Sequence, residues 1–142
     1  MPSSTKSETF VDTSGFYALL VRADRWHDRA AAIMARAEAD HGRFVTTDYV
    51  LDESVTLLKA RGHGHLLAQF FRSVETSAAL DVEWTTPARF GEARVLCLRH
   101  ADKAWSFTDC LSFVVMRARR LETALTSDVH FAQAGFRVLL RG

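Results

Sequence analysis

Five short runs rich in β-branched and aromatic residues alternate along the chain with longer segments of helical periodicity. The runs predicted as strands are residues 9–11, 43–46, 79–84, 123–126 and 136–140. The segments between them are too long for hairpin loops, and parallel strands need helical crossovers of that length. The sequence therefore predicts an α/β fold, in which a small parallel β-sheet is flanked by α-helices on both faces.

The helical segments have recognisable starts and ends. They are predicted over residues 14–23, 26–41, 65–74, 87–100 and 106–119, with a further helix that starts near residue 48 and a short turn around Phe131. Asp48 is predicted as the N-cap of the helix that it opens, and Pro87 as the first residue of a later helix. At 142 residues the chain fits one domain.

Composition excludes several classes of protein. The net charge is +1, with 18 basic against 17 acidic side chains, so a polyanion has to be held by local clusters rather than by the overall field. No apolar run approaches the ~18 residues of a membrane span, and the start of the chain lacks the apolar core of a secretory signal. We expect a cytoplasmic protein that contacts no membrane, with a flexible tail over residues 1–8 and one domain over residues 9–142.

Acidic residues occur where a parallel sheet places its ligand crevice, at the carboxyl ends of the strands. Asp12 directly follows the first predicted strand and Asp128 closely follows the fourth. Asp109 lies in the first turn of the helix that begins at Ser106, and Glu53 lies near the start of an earlier helix. These four carboxylates are therefore predicted to converge.

Carboxylates brought within a few Å repel one another unless a cation neutralises them. Mg²⁺ and Mn²⁺ prefer oxygen ligands and are commonly held by a few carboxylates together with a substrate phosphate. The pattern therefore predicts a divalent metal site and points to phosphodiester hydrolysis.

Each acid also has a purely structural interpretation. Asp12 and Asp128 can cap the helices that follow them, Asp109 with Ser106 has the pattern of a capping box, and Glu53 can be a solvated helix residue. The occurrence of all four at one sheet edge favours a common site.

Other polar and aromatic residues remain open to two interpretations. Ser14 and Thr126 lie beside the acids and can orient a metal-bound water or the Asp128 carboxylate, although local backbone hydrogen bonding is an at least equal alternative. His130 can approach the site beside Asp128 or lie in a loop. The three tryptophans, Trp26, Trp84 and Trp105, can stack on bases, although burial in a core or interface is more common.

Four segments in a fixed order resemble the PIN-domain family, and most closely the VapC-type toxins of VapBC toxin–antitoxin modules. They are Phe-Val-Asp-Thr-Ser-Gly-Phe at 10–16, Thr-Thr-Asp-Tyr-Val-Leu-Asp-Glu at 46–53, Ser-Phe-Thr-Asp-Cys at 106–110, and Leu-Thr-Ser-Asp-Val-His-Phe at 125–131 with Ala-Gly-Phe at 134–136. The resemblance covers nearly the whole chain. It implies that Asp12, Glu53, Asp109 and Asp128 form the family's acid cluster.

The same resemblance implies Mg²⁺ or Mn²⁺ as cofactor and endoribonuclease activity on single-stranded or looped RNA. It also implies inhibition by a cognate antitoxin and assembly as a homodimer. The dimer is expected to use apolar surface around Trp26, Phe70 and Phe71. The alternative is a non-catalytic module of this fold that binds RNA or protein. A phosphotransfer domain is disfavoured, because a dehalogenase-like motif requires a second aspartate where this chain has Ser14.

Overall fold

The structure, a computed structural model, describes residues 7–142. Its strands are β1 (Glu8–Val11), β2 (Arg43–Thr47), β3 (Leu80–Glu83), β4 (Thr123–Leu125) and β5 (Arg137–Val138). Its helices are α1 (Thr13–Leu20), α2 (His27–Ala39), α3 (Asp48–Ala60), α4 (Leu67–Thr76), α5 (Pro87–Arg99), α6 (Phe107–Ala118) and α7 (Val129–Gln133), with a 3₁₀ turn at Gly64–Leu66. The predicted alternation of strands and helices is confirmed.

The strands form one parallel sheet in the order β3-β2-β1-β4-β5. Both faces of the central strand are covered, since Phe10 and Val11 are buried on opposite sides of the pleat. Phe10 packs against Phe131 of α7, whereas Val11 lies with Phe16 of α1 and Phe70 of α4. The α/β class with helices on both faces is therefore confirmed.

Helix starts are fixed by local hydrogen bonds. The N-cap of α3 is Thr47, whose hydroxyl accepts from the Val50 N–H at 3.2 Å, so the prediction of Asp48 as the cap was wrong by one residue. The Asp48 carboxylate instead accepts hydrogen bonds from Thr85 in the loop after β3. Asp48 thereby ties α3 to that loop.

The other differences from the sequence-based prediction concern the ends of elements. Regular pairing in β5 covers two residues, although the amides of Leu139 and Leu140 still donate to carbonyls at the end of β4. The tail prediction for residues 1–8 falls outside the described residues except at Ser7 and Glu8, and Glu8 begins β1.

The tryptophans and the predicted dimer surface have different degrees of exposure. Trp105 is buried and its indole N–H donates to Gln133, whereas 69% of Trp84 is exposed. Phe70 is only 1% exposed and belongs to the core, so its assignment to a dimer surface was wrong. Phe71, 45% exposed, remains available for contacts. Among residues 7–142, no helix has the length and apolar character needed to cross a bilayer.

Candidate active site

The carboxyl ends of β1 and β4 meet at one place, because these strands pair in parallel with Val11 opposite Leu125. The amide of Asp12 donates to the Leu125 carbonyl at 3.2 Å, which continues the pairing one residue beyond β1. Gly15 makes this close approach possible, since a Cβ there would overlap the Leu125 carbonyl oxygen. The residues that follow the two strands therefore face one another across a short distance.

Asp12 is a buried carboxylate with one free oxygen. Its Oδ2 accepts from the Thr126 hydroxyl at 2.9 Å, while Oδ1 is buried with no hydrogen-bond partner among the described residues. Asp12 is the N-cap residue of α1, as the structural interpretation expected, but its side chain makes no capping hydrogen bond to the helix. A buried acceptor without a partner is costly and points to a ligand.

Burial raises the pKa of Asp12 from 3.8 to about 7, and the negative charges of Asp109 and Glu53 act in the same direction. The Thr13 backbone amide and the Thr126 hydroxyl lower the pKa, but burial outweighs them. Geometry links the same residues: the Thr13 hydroxyl, next in sequence to Asp12, donates to Glu53, and Thr126 bonds both the Asp12 carboxylate and the Asp128 amide. A bound cation would favour the charged form of each carboxylate.

The hydroxyls of Ser14 and Thr126 are hydrogen-bonded to each other, and Thr126 also bonds Asp12. Their side-chain oxygens lie 3.0 Å apart, and the Asp128 N–H donates to the Thr126 oxygen at 3.0 Å. The Ser127 N–H donates to Ser14 at 2.9 Å. The structure thus brings both hydroxyls next to Asp12, and their role in orienting a metal ligand stays a prediction.

Asp109 and Asp128 meet through His130. The Nδ1 of His130 lies 2.9 Å from Asp109 Oδ2 and 3.3 Å from Asp128 Oδ1. Burial raises the pKa of Asp109, with the charge of Asp128 adding to the rise, whereas hydrogen bonds from the Ser106 amide and from His130 lower it. His130 is therefore part of the site, a position that the sequence left open.

Asp109 and Asp128 also have the structural roles expected for helix starts. Ser106 and Asp109 form a complete capping box on α6, and Asp128 accepts from the His130 N–H at the start of α7. A cap uses only part of a carboxylate's four lone-pair sites. Capping and metal binding are therefore compatible at both residues.

Glu53 reaches the site from α3 and is half-buried rather than fully solvated. The Thr13 hydroxyl donates to its Oε1 at 2.6 Å. Sequence reasoning did not single out Thr13, and the available signal was its position between Asp12 and Ser14. This contact joins the start of α1 to Glu53 across 40 residues of sequence.

The donor set fits a divalent cation. Asp109, Asp128 and His130 offer ligand atoms that lie within 4.8 Å of one another. Asp12, at the end of the neighbouring strand β1, has an unpartnered oxygen, Oδ1, that remains available to a ligand. Carboxylate oxygens suit Mg²⁺ or Mn²⁺, whereas an imidazole nitrogen also suits Zn²⁺ or Fe²⁺. This cluster can hold a metal ion.

Known proteins are similar in sequence to this chain. A family model described as the PIN domain matches residues 9–137. The chain is 34% identical over 127 residues to the 23S rRNA-specific endonuclease VapC20 of Mycobacterium tuberculosis, an alignment that covers 89% of this chain and 94% of that protein. It is 31% identical over 115 residues to a VapC ribonuclease of Archaeoglobus fulgidus, with 79% and 72% covered.

Solved structures share its fold. The crystal structure of Mycobacterium tuberculosis VapC20, described as a sarcin–ricin loop cleaving toxin, matches with a TM-score of 0.80 and 31% identity over 92% of this chain and 96% of that one. A Pyrobaculum aerophilum protein matches in fold alone, with a TM-score of 0.62 and 16% identity over 96% and 93%. The chain belongs to the PIN-domain family, and its relatives within that family are VapC ribonucleases.

Proposed function

We propose that this protein is a Mg²⁺- or Mn²⁺-dependent endoribonuclease and the toxin of a VapBC toxin–antitoxin module. One observation carries the proposal: Asp109, Asp128 and His130 offer ligand atoms within 4.8 Å of one another, and Asp12, which has a buried, unpartnered carboxylate oxygen, is bonded to Thr126 two residues before Asp128. Its relatives are named as an rRNA endonuclease and a ribonuclease, which supports RNA as the substrate class.

Asp12, Asp109, Asp128 and Glu53 are the residues that would hold the cation. When bound, such a cation supplies positive charge that activates water and offsets the charge that develops on the phosphate. The Thr126 hydroxyl donates to Asp12 and the Thr13 hydroxyl donates to Glu53, and these hydrogen bonds fix the orientation of both carboxylates. His130 keeps Asp109 and Asp128 together. These contacts hold the metal-binding side chains in place before the substrate binds.

The test is mapping of RNA 5′ ends after incubation of purified protein with total RNA and with a sarcin–ricin loop oligonucleotide. Wild type should cleave with Mg²⁺ or Mn²⁺, and EDTA should abolish cleavage. Asp109→Asn and Glu53→Gln should lose at least ~100-fold in rate, because each removes a ligand charge with little change in shape. Asp52→Asn is the matched control, because Asp52 is exposed and adjacent to Glu53.

The same experiment separates the nuclease from a non-catalytic binding module. RNA that is retained but never cut, with wild type and Asp109→Asn behaving alike, would establish the binding module. Robust cleavage by a preparation shown to be metal-free would exclude the metal-dependent mechanism.

We further propose that a cognate antitoxin inhibits the enzyme by placing a cationic side chain between Asp12 and Asp109. Arginine suits this role, because its guanidinium forms bidentate hydrogen bonds with carboxylates. Its positive charge would neutralise the carboxylates in place of a metal. Antitoxin affinity should then fall in Asp12→Asn and Asp109→Asn. A cocrystal with the antitoxin far from these acids would contradict the proposal.

Homodimer formation also remains a proposal. Trp26 is half-buried and Phe71 is 45% exposed, so both offer apolar surface for a second copy. Light scattering at micromolar concentration should show a dimer that Phe71→Asp weakens. A monomer at that concentration would contradict it.

A further inference from the structure

Trp84 is an exposed tryptophan on a fixed backbone. It follows the last residue of β3, Glu83, which pairs with Thr47 of β2, so Trp84 lies beyond the strands at the edge that carries the acids. Glu83 is bound by Arg89 at 2.8 Å and Arg119 at 3.0 Å. On the other side, the amide and hydroxyl of Thr85 both donate to Asp48. A side chain with 69% exposure is thus presented from an anchored segment.

Three further aromatic side chains lie at the same edge of the sheet as Trp84 and the acids. Phe107 opens α6 two residues before Asp109, and Tyr49 lies one turn before Glu53 on α3. The Tyr49 and Phe107 rings are 5.6 Å apart, and the Phe107 and Phe90 rings are 4.7 Å apart. We call Tyr49, Trp84, Phe90 and Phe107 the aromatic ledge. All four lie at the starts of helices or the end of a strand on the acid edge.

The ledge offers aromatic faces rather than positive charge. The guanidinium of Arg89, which lies within the same stretch of chain, contacts Glu83 and Glu92 at 2.8 Å and 3.0 Å. Phosphate groups therefore gain little from this surface. Unpaired bases, in contrast, stack on aromatic side chains, and this interaction tolerates any base identity.

We propose that the aromatic ledge is a nucleobase subsite, in which Trp84 stacks on an unpaired base of the RNA beside the phosphate that is cut. This inference rests on the proposed ribonuclease function and adds to it. A base held on the ledge fixes the strand next to the carboxylates, so the ledge selects RNA whose bases are splayed out at the cleavage site. Paired bases cannot present their faces in this way.

The experiment measures RNA binding by fluorescence anisotropy in the full-length Asp109→Asn protein, which does not cut its probe. The probe is a labelled sarcin–ricin loop oligonucleotide, together with any RNA that wild type is found to cleave. Adding Trp84→Ala should weaken binding by about 5- to 150-fold, the range expected for the loss of one base stack. Trp84→Phe should recover most of the affinity. Leu98→Ala is the control, as an exposed apolar residue on α5 outside the ledge.

A second series replaces single nucleotides around the mapped cleavage site with abasic ribosides. One such replacement should weaken binding about as much as Trp84→Ala, and Trp84→Ala should add nothing on that RNA. Additive losses at every position would overturn the assignment. Binding within twofold of the parent protein in Trp84→Ala would also overturn it.

Separate outcomes distinguish this inference from the proposed function. If wild type cleaves RNA and Trp84→Ala cleaves it equally well, the assignment of the ledge is overturned and the proposed ribonuclease function is not. Wild type that neither cleaves nor binds the RNAs overturns both. A change in light scattering in Trp84→Ala, with unchanged RNA affinity per monomer, would assign the ledge to contacts between copies of the chain instead.

Discussion

Replacement of Asp12 by asparagine should stabilise the metal-free protein at neutral and alkaline pH. Asp12 is 4% exposed, and burial raises its pKa from 3.8 to about 7. An acid with a raised pKa binds its proton more tightly in the folded state than in the unfolded chain. The stability therefore falls as the pH rises from 3.8 to about 7, and the penalty is complete above that value.

The magnitude follows from this difference in pKa. At about 1.4 kcal/mol for each pKa unit, the charged carboxylate lowers the free energy of unfolding by about 4 kcal/mol above pH 7. Asparagine keeps an oxygen for the Thr126 hydroxyl but leaves its amide group without a partner where Oδ1 lies. An unsatisfied buried group costs roughly 1–3 kcal/mol, so the net gain is about 1–3 kcal/mol.

Urea unfolding in EDTA at about pH 8 and pH 5 measures this effect. Asp12→Asn should be more stable than wild type at pH 8 and should lose that advantage at pH 5, where Asp12 is protonated. Asp52→Asn removes the same charge from an exposed neighbour of Glu53 and should change stability by less than ~0.5 kcal/mol at either pH. An Asp12→Asn protein that is destabilised equally at both pH values would refute the reasoning.

Three further predictions concern backbone conformation and one contact of the site. Gly15→Ala should lower the free energy of unfolding, measured in urea, by about 2–4 kcal/mol, because the added Cβ would overlap the Leu125 carbonyl. Gly91→Ala is the matched control: Gly91 lies in α5 with open space around it, so alanine should raise the free energy of unfolding by about 0.5–1 kcal/mol. Arg120→Gly should raise stability by about 0.5–1 kcal/mol in thermal melts, because Arg120 has a φ of 58° after α6; an unchanged melting temperature would mean that its side chain offsets the strain. Thr13→Val should lower kcat/KM on RNA about 10- to 100-fold through loss of the bond to Glu53, and Thr13→Ser should restore it; equal activity in both variants would show that Glu53 needs no such support.

Much of the fold and of the acid edge could be predicted because both depend on local patterns. Asp12 and Asp128 follow strands that alternate with helices, and in a parallel sheet such positions share one edge. The prediction did not need to know which strands are neighbours. Element ends were less certain, as shown by α3, where Thr47 rather than Asp48 caps the helix because its hydroxyl reaches the Val50 amide.

The contacts that complete the site carry no local signal. Thr13 meets Glu53 across 40 residues, and His130 meets Asp109 across 21. Both contacts arise only when helices pack on the finished sheet. The exposure of individual aromatic side chains could not be predicted either, since sequence alone does not distinguish the buried Trp105 from the exposed Trp84.

The separation of Asp12 from Thr126 affects the order in which the site is built during protein synthesis. The two residues are 114 positions apart, and β1 occupies the centre of the sheet between β2 and β4. Strand β1 is therefore made early, yet it has one neighbour missing until β4 emerges from the ribosome. Until then Asp12 lacks the Thr126 hydroxyl, and Asp109 lacks Asp128 and His130. We expect a nascent chain to remain without a complete acid cluster until nearly the whole domain has been synthesised.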